Sequence, residues 1–298
     1  MKINRHRIID RLMRNLFFSI ALASIIMLAV ITLFLFQEGI PIFKVVSVKE
    51  FLFGEFWYPT DDDPTFSIFP MIMGSLSVAL VSASMSIPLG IMTAIYLAEI
   101  ADRRIREIIK PTIELLSALP SVVIGFFGMV IIAPFLQKIL DISTGLNLFN
   151  AGLMLAFMTV PTICSISEDA ISSVPNGLKE ASLALGATQW ETITRVTLPA
   201  SISGISTAVI LGISRAIGET MVVLMVAGGA AIIPESIFDP VRPLPASIAA
   251  ELAEAPFRGD HYHALFAIGI VLFLITFAFN IIADRIATKF RQVGEASL

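Results

Sequence analysis

The sequence predicts an all-α integral membrane protein with six transmembrane helices, and three observations carry that prediction. Of the 298 residues, 56% are hydrophobic and only 15% charged, where a soluble domain of this size carries about 25% charged residues. The mean hydropathy is +0.87. The apolar residues gather in runs at 16–36, 68–98, 112–136, 148–167, 200–233 and 264–283, each near or above the ~20 residues that cross a hydrocarbon core.

The first run follows Lys2, Arg5, Arg7, Arg11 and Arg14 and so resembles a secretory signal. Leu16 to Phe36 is too long for a signal core, however, and Gln37-Glu38-Gly39 lacks the small residues of a cleavage site, so it is read as a retained first helix. The second and fifth runs exceed the bilayer and are expected to tilt, kink or project beyond it. Pro88, Pro120, Pro161 and Gly228-Gly229 are the expected kink points, tolerable where neighbouring helices re-satisfy the backbone. Ser82, Ala83, Ser84, Ser86 and Gly90 are small enough to let helices approach closely. Glu114, near the start of the third run, is read as an interfacial acid in the first turn of a helix opened by Pro111.

Orientation follows from the basic residues. Segments 1–14, 102–110, 167–199 and 284–298 carry 5, 4, 2 and 3 of the 20 Lys and Arg residues; segments 37–67, 137–149 and 234–263 carry 2, 1 and 2. This alternation places both termini in the cytoplasm. The expected organisation is a cytoplasmic N-terminus with the first helix (1–37), an outside loop (38–67), a membrane core (68–284) containing a cytoplasmic loop at 174–199, and a cytoplasmic tail (285–298). Asp61-Asp62-Asp63 in the first outside loop is read as a solvated acidic turn.

Several function classes are set aside. A net charge of −4 argues against nucleic acid as a partner. No G-x-x-x-x-G-K-[ST] occurs, so the chain has no phosphate-binding loop of its own for ATP. His6 lies in the basic tail, and His261 and His263, without a third ligand nearby, are read as a wet outer loop rather than a metal site. No histidine lies at membrane depth to serve a nucleophile, which weakens an intramembrane enzyme. The one cysteine, Cys164, cannot form an internal disulfide.

Arg215 and Glu219 are the only charges from Ala200 to Ile233. Such charges are costly in hydrocarbon. Four residues apart on one helix, they would share a face and pair, which lowers the cost of holding either. A second signal lies in VPNGLKEASLALGATQWETITRVTLP (174–199). Leu178, Ala181, Ser182 and Leu185 fall on one helical face, Gly186 suits the left-handed residue that ends a helix, and Thr188 with Glu191 fits a capping box. Two short helices joined by a tight turn are expected. They either lie on the membrane surface or form a rigid knob for a soluble partner.

Here the residues resemble a family. Glu180-Ala181-Ser182, Gly186 and Val196-Thr197-Leu198-Pro199 are similar to the E-A-A-x3-G-x9-I-x-L-P motif of bacterial ABC-importer permeases, with Ser and Val as conservative departures. FLFGEFWYP (51–59), PLGIMTAIYLAE (88–99), KPTIELLSALPSVVIGFFG (110–128) and RAIGETMVVLMVAGG (215–229) resemble the PstC family of phosphate-importer permeases. The sister PstA family is similar in the core.

The resemblance implies a type I ABC-importer permease architecture in a bacterial or archaeal cytoplasmic membrane, among membrane lipid. Implied partners are a PstA-type permease, two ATPase subunits that carry ATP and Mg, and a phosphate-binding receptor protein; no cofactor is implied on this chain. Glu180, Ala181, Gly186, Leu198 and Pro199 would couple to the ATPase. Arg215 would present its planar fork to phosphate in the pathway, with Glu219 occupying it when the site is empty. A permease for another oxyanion (phosphonate, molybdate or sulfate) is the nearest alternative, and a non-transporting membrane scaffold the more distant one.

Overall fold

A computed structural model describes the backbone of residues 2–296 and the side chains of residues 10–282 and Arg285. Helix α1 (Lys2–Gly39) enters a single 3-10 turn at Ile40–Lys44. Helix α2 (Val48–Phe53) is capped by Ser47, whose hydroxyl accepts from the Glu50 N–H at 3.2 Å. A two-residue antiparallel hairpin, β1 (Trp57–Tyr58) and β2 (Thr65–Phe66), pairs Trp57 with Phe66 and holds the Asp61-Asp62-Asp63 turn in solvent.

Helix α3 (Phe69–Ile95) ends in a π-helical turn (Tyr96–Ile100) and is followed by α4 (Arg103–Ser117). Helices α5 (Ser121–Phe127) and α6 (Ala133–Leu140) are joined through another π-helical turn. Helix α7 (Leu148–Ser172) is capped by Asn147. The short α8 (Asn176–Ala184) and α9 (Gln189–Thr192) lead through a third π-helical turn into α10 (Leu198–Ile217). Helices α11 (Met221–Val226), α12 (Leu244–Glu251) and α13 (Asp260–Ala296) complete the chain.

Among the described residues, six segments are long and apolar enough to span a membrane: Asp10–Lys44, Phe69–Ile100, Ser121–Leu140, Leu148–Ser172, Gln189–Ile217 and Asp260–Ile282. Helix α7 is the centre of the bundle. In its apolar stretch 61% of residues are buried, against none in that of α1, which packs on α13 at the periphery. Helices α3 and α10 both close on α7 at Ile163, where a Cβ on Gly90 or Gly212 would sit 2.8 or 2.6 Å from the isoleucine side chain. Glycine is required at both contacts because nothing larger allows the backbones that close.

Two expected spans are corrected. The third does not begin at residue 112. Residues 103–117 form a separate amphipathic helix, with Pro111 inside it rather than opening it, and the chain breaks at Ala118–Pro120 before Ser121. The cause is local: Pro120 donates no N–H and drives the preceding residue out of helical conformation. The fifth does not run to residue 233. Its helix stops at Ile217, resumes for six residues in α11, and ends at Gly228 and Gly229, whose φ of 91° and 72° only glycine adopts readily.

Candidate functional site

The break between α10 and α11 holds both charges singled out in the sequence, and it separates them. Arg215 is in the last turn of α10, where its charge suits the negative end of the helix. Its Nη1 donates to Thr162 Oγ1 of α7 at 3.1 Å, and Nη2 approaches the Ser117 carbonyl at the end of α4 at 3.5 Å. Glu219 instead turns onto its own chain. Its Oε1 accepts from the N–H groups of Met221 and Val222 at 3.1 and 3.3 Å, closing the start of α11.

The expected pair on one helical face, with Glu219 seated on Arg215, is therefore corrected. Among the described residues the two form no ion pair, because the helix is interrupted at Gly218–Thr220, Arg215 is held by Thr162 and Ser117, and Glu219 by the start of α11. A guanidinium has five N–H donors, of which two meet described partners. The arrangement is thus a half-buried cation held from three helices, beside an interruption lined by backbone polar groups. It is suited to receiving an oxyanion through two parallel hydrogen bonds.

The loop at 174–199 folds as two short helices around a left-handed residue, as its local chemistry dictates. Gly186 has φ 89° and open space around it. The Thr188 hydroxyl accepts from the Glu191 N–H at 3.2 Å while Glu191 accepts from the Thr188 N–H at 3.0 Å, a reciprocal capping box. Glu180, Ala181 and Gly186 are exposed. Beside them Leu185 is 90% and Trp190 65% exposed, so the knob presents apolar side chains outward. The four-residue face expected on α8 splits: Leu178 and Ser182 turn inward, Ala181 and Leu185 outward. Leu198 lies elsewhere, packed on the cluster of Ala94, Leu97, Cys164, Ile171 and Ile205, while Pro199 is exposed in the first turn of α10.

Several charged residues organise this end of the molecule without having been singled out in the sequence. Glu168 of α7, its side chain 1% exposed, takes hydrogen bonds from Arg106 and, at 2.5 Å, from Lys110, both on α4; Lys110 also reaches Asp169 at 2.6 Å. Burial works against the Lys110 charge, but its hydrogen bonds to Asp169 and Glu168 outweigh that cost and raise its pKa above the ordinary lysine value. The four-residue spacing of Arg106 and Lys110 on an amphipathic helix was the available signal; nothing local marked Glu168 as their partner. Glu114 is exposed in the last turn of the same helix rather than in a first turn; its backbone carbonyl accepts from the Ser117 hydroxyl at 2.7 Å, while its carboxylate is not among the groups that meet Arg215.

At the opposite end, Glu251 gathers Arg242, the Trp57 indole N–H at 3.0 Å and His261 Nε2 at 2.8 Å. His261 is buried in this contact, and His263 bonds the Glu38 carbonyl at 2.7 Å, so the wet-loop reading of the two histidines is corrected. The partner of His261 lies ten residues before it, whereas that of His263 lies 225 residues away on α1.

Comparison with known proteins places this geometry. Residues 86–292 match the family described as "Binding-protein-dependent transport system inner membrane component". The chain is 39% identical to the probable ABC transporter permease protein YqgH of Bacillus subtilis, with 90% of this chain and 88% of that protein covered. It is 36% identical to the phosphate transport system permease protein PstC of Mesorhizobium japonicum, over 78% of this chain and 76% of that one. Among solved structures, a chain of a bacterial alginate ABC transporter in complex with its pentasaccharide-bound periplasmic protein superposes with a TM-score of 0.65 at 15% identity, covering 92% of this chain and 94% of that one. That likeness is one of fold.

Proposed function

Because the chain belongs to the family of binding-protein-dependent transport system inner membrane components, we propose that it is one of the two permease subunits of a bacterial phosphate ABC importer. The observation that carries the choice of phosphate is the 36% identity to a phosphate permease over 78% of the chain. The cation at the broken helix supports it chemically.

In this reading the chain works beside a second, PstA-type permease and lies between a phosphate-loaded receptor outside and two ATPase subunits inside, which carry ATP and Mg. Both termini are cytoplasmic, as the excess of Lys and Arg in alternate loops supports. Glu180, Ala181 and Gly186 meet the ATPase, and the outward Leu185 and Trp190 supply apolar contact area. Leu198 and Pro199 serve the coupling by joining the knob to the span, Leu198 from its seat on the cluster of Ala94 and Ile205 and Pro199 from the first turn of α10.

Arg215 holds the passing anion. Thr162 and Ser117 O position the guanidinium, and phosphate exchanges with them, so the cation stays hydrogen-bonded throughout. Glu219 shapes the site by closing α11. Its remaining acceptor capacity suits protonated phosphate, which donates a hydrogen bond where fully ionised sulfate has none to give.

The test is uptake of radiolabelled phosphate by cells lacking this chain, with and without its return on a plasmid. Restored phosphate uptake is expected. Restoration of sulfate, molybdate or phosphonate uptake without phosphate uptake would replace the substrate assignment.

A further inference from the structure

The knob is tied to the membrane domain by a small number of polar contacts, and one of them is built differently from the rest. Lys179, in the middle of α8, donates to Glu99 Oε1 at 2.6 Å across 80 residues of sequence. Their side chains are only 18% and 10% exposed, while most of the α8 residues around Lys179 are exposed. On the far side of Gly186, the Gln189 amide of α9 donates to the backbone carbonyl of the same Glu99 at 3.2 Å. Glu99 therefore receives one contact from each short helix. No residue of α8 is fully buried, so α8 has little apolar anchorage of its own.

What Glu99 belongs to gives the contact its meaning. It lies in the π-helical turn that ends α3, three residues before Asp102 at the start of α4. Helix α4 is fastened to α7 by Arg106 and Lys110 on Glu168, and its last turn presents the Ser117 carbonyl to Arg215. A displacement of the knob thus reaches Glu99 first, then the α3–α4 junction, then the helix whose end touches the pathway arginine. The links are side-chain and backbone hydrogen bonds at Glu99, the two-residue junction of Ala101 and Asp102, and the ion pairs that fix α4, a contiguous network of the kind that can carry coupling between sites.

We propose that Glu99 and Lys179 are positioning residues for coupling: their ion pair carries the movement of the ATPase-bound knob into α4 and so to Arg215. Neither residue touches phosphate or ATP. The proposal rests on the reading of the 174–199 knob as the ATPase contact.

The experiment uses the complete importer, both permeases with both ATPase subunits, in proteoliposomes with phosphate-loaded receptor. The variants are Glu99→Gln, Lys179→Met, the double Glu99→Gln/Lys179→Met, and the exchanged pair Glu99→Lys/Lys179→Glu. Assembly, basal ATP hydrolysis, its stimulation by loaded receptor, and phosphate uptake are measured on each.

The complexes are expected to assemble and keep basal hydrolysis, while stimulation and uptake fall about tenfold in the single and double variants, within the usual range of coupling between distant sites. The exchanged pair is expected to recover a substantial part of both, which would assign the loss to the ion pair itself, while retained assembly and basal hydrolysis in the other variants separate coupling from a merely structural defect. Where a single change strands a buried charge and lowers folding, the double neutral variant decides, because it leaves no lone charge. Normal stimulation and uptake in that variant would overturn the proposal, as would loss of assembly in every variant, exchanged pair included. Absence of stimulation in the wild-type complex would overturn the transport reading itself, and the proposal with it.

Discussion

Glu168 of α7 accepts hydrogen bonds from both Arg106 and Lys110 of α4, so one buried carboxylate fastens the amphipathic helix to the centre of the bundle. Ser172 completes the arrangement, donating to Glu168 at 2.9 Å and accepting from Arg106 at the same distance. Breaking a buried charge cluster by removing one partner costs about 3–5 kcal/mol, because it strands the others. Glu168→Leu is therefore expected to lower the heat resistance of the detergent-solubilised complex sharply. Arg106→Met, which removes the more exposed partner, is expected to lower it less. The triple change to Leu, Met and Met should recover part of the loss, since apolar replacement of a whole ionic cluster is often neutral. Unchanged aggregation temperature in Glu168→Leu would show that the cluster does not hold α4.

Gly186 separates backbone strain from crowding. A Cβ there meets nothing within 4 Å, so any effect of substitution comes from its φ of 89°. A β-branched residue held in that region costs about 1–3 kcal/mol. Gly186→Val is expected to displace α8 and α9 and to abolish stimulation of ATP hydrolysis by loaded receptor, while the permease still inserts. Gly186→Asn, which tolerates the left-handed region, should retain most of it. Equal stimulation in the two variants would count against the turn as the cause.

Substitutions at the broken helix should act on transport before they act on assembly. Arg215→Gln and Glu219→Gln are each expected to abolish phosphate uptake in complexes that still assemble and bind ATP. Glu219→Gln keeps an amide oxygen able to accept from Met221 and Val222, so α11 should survive it. Arg215→Lys keeps charge but loses the planar fork, and should be nearly as defective as Arg215→Gln. Normal uptake in Arg215→Gln would remove that residue from the pathway.

Glu114 offers the contrasting case. It is exposed on α4, and its carboxylate is not among the groups that hold Arg215. Glu114→Gln should leave most phosphate uptake intact; complete loss in an assembled complex would give it a pathway role.

Topology is open to direct measurement. The single native cysteine, Cys164, is buried at 1% exposure and should give little background to a membrane-impermeant thiol reagent. Asp62→Cys in the exposed hairpin turn is expected to react in intact spheroplasts, and Arg104→Cys on α4 only after the membrane is opened. The reverse pattern would invert the chain and remove the 174–199 knob from the ATPase side.

What the sequence determined by itself was whatever depends on neighbours along the chain. Apolar runs of spanning length specify six membrane helices, and Gly186 with the Thr188–Glu191 capping box specifies the knob, because helix length, left-handed φ and reciprocal capping are settled within a few residues. What only the tertiary structure decided was where a polar group finds its partner. Arg215 and Glu219 read as one helical turn, yet they are parted because Thr162 and Ser117 serve one and the start of α11 serves the other. Glu168 meets Lys110 and Arg106 across 58 and 62 residues, and Glu99 meets Lys179 across 80. A charge in a poorly solvated interior is stable only where a partner arrives, and which partner arrives is set by how the helices pack on α7.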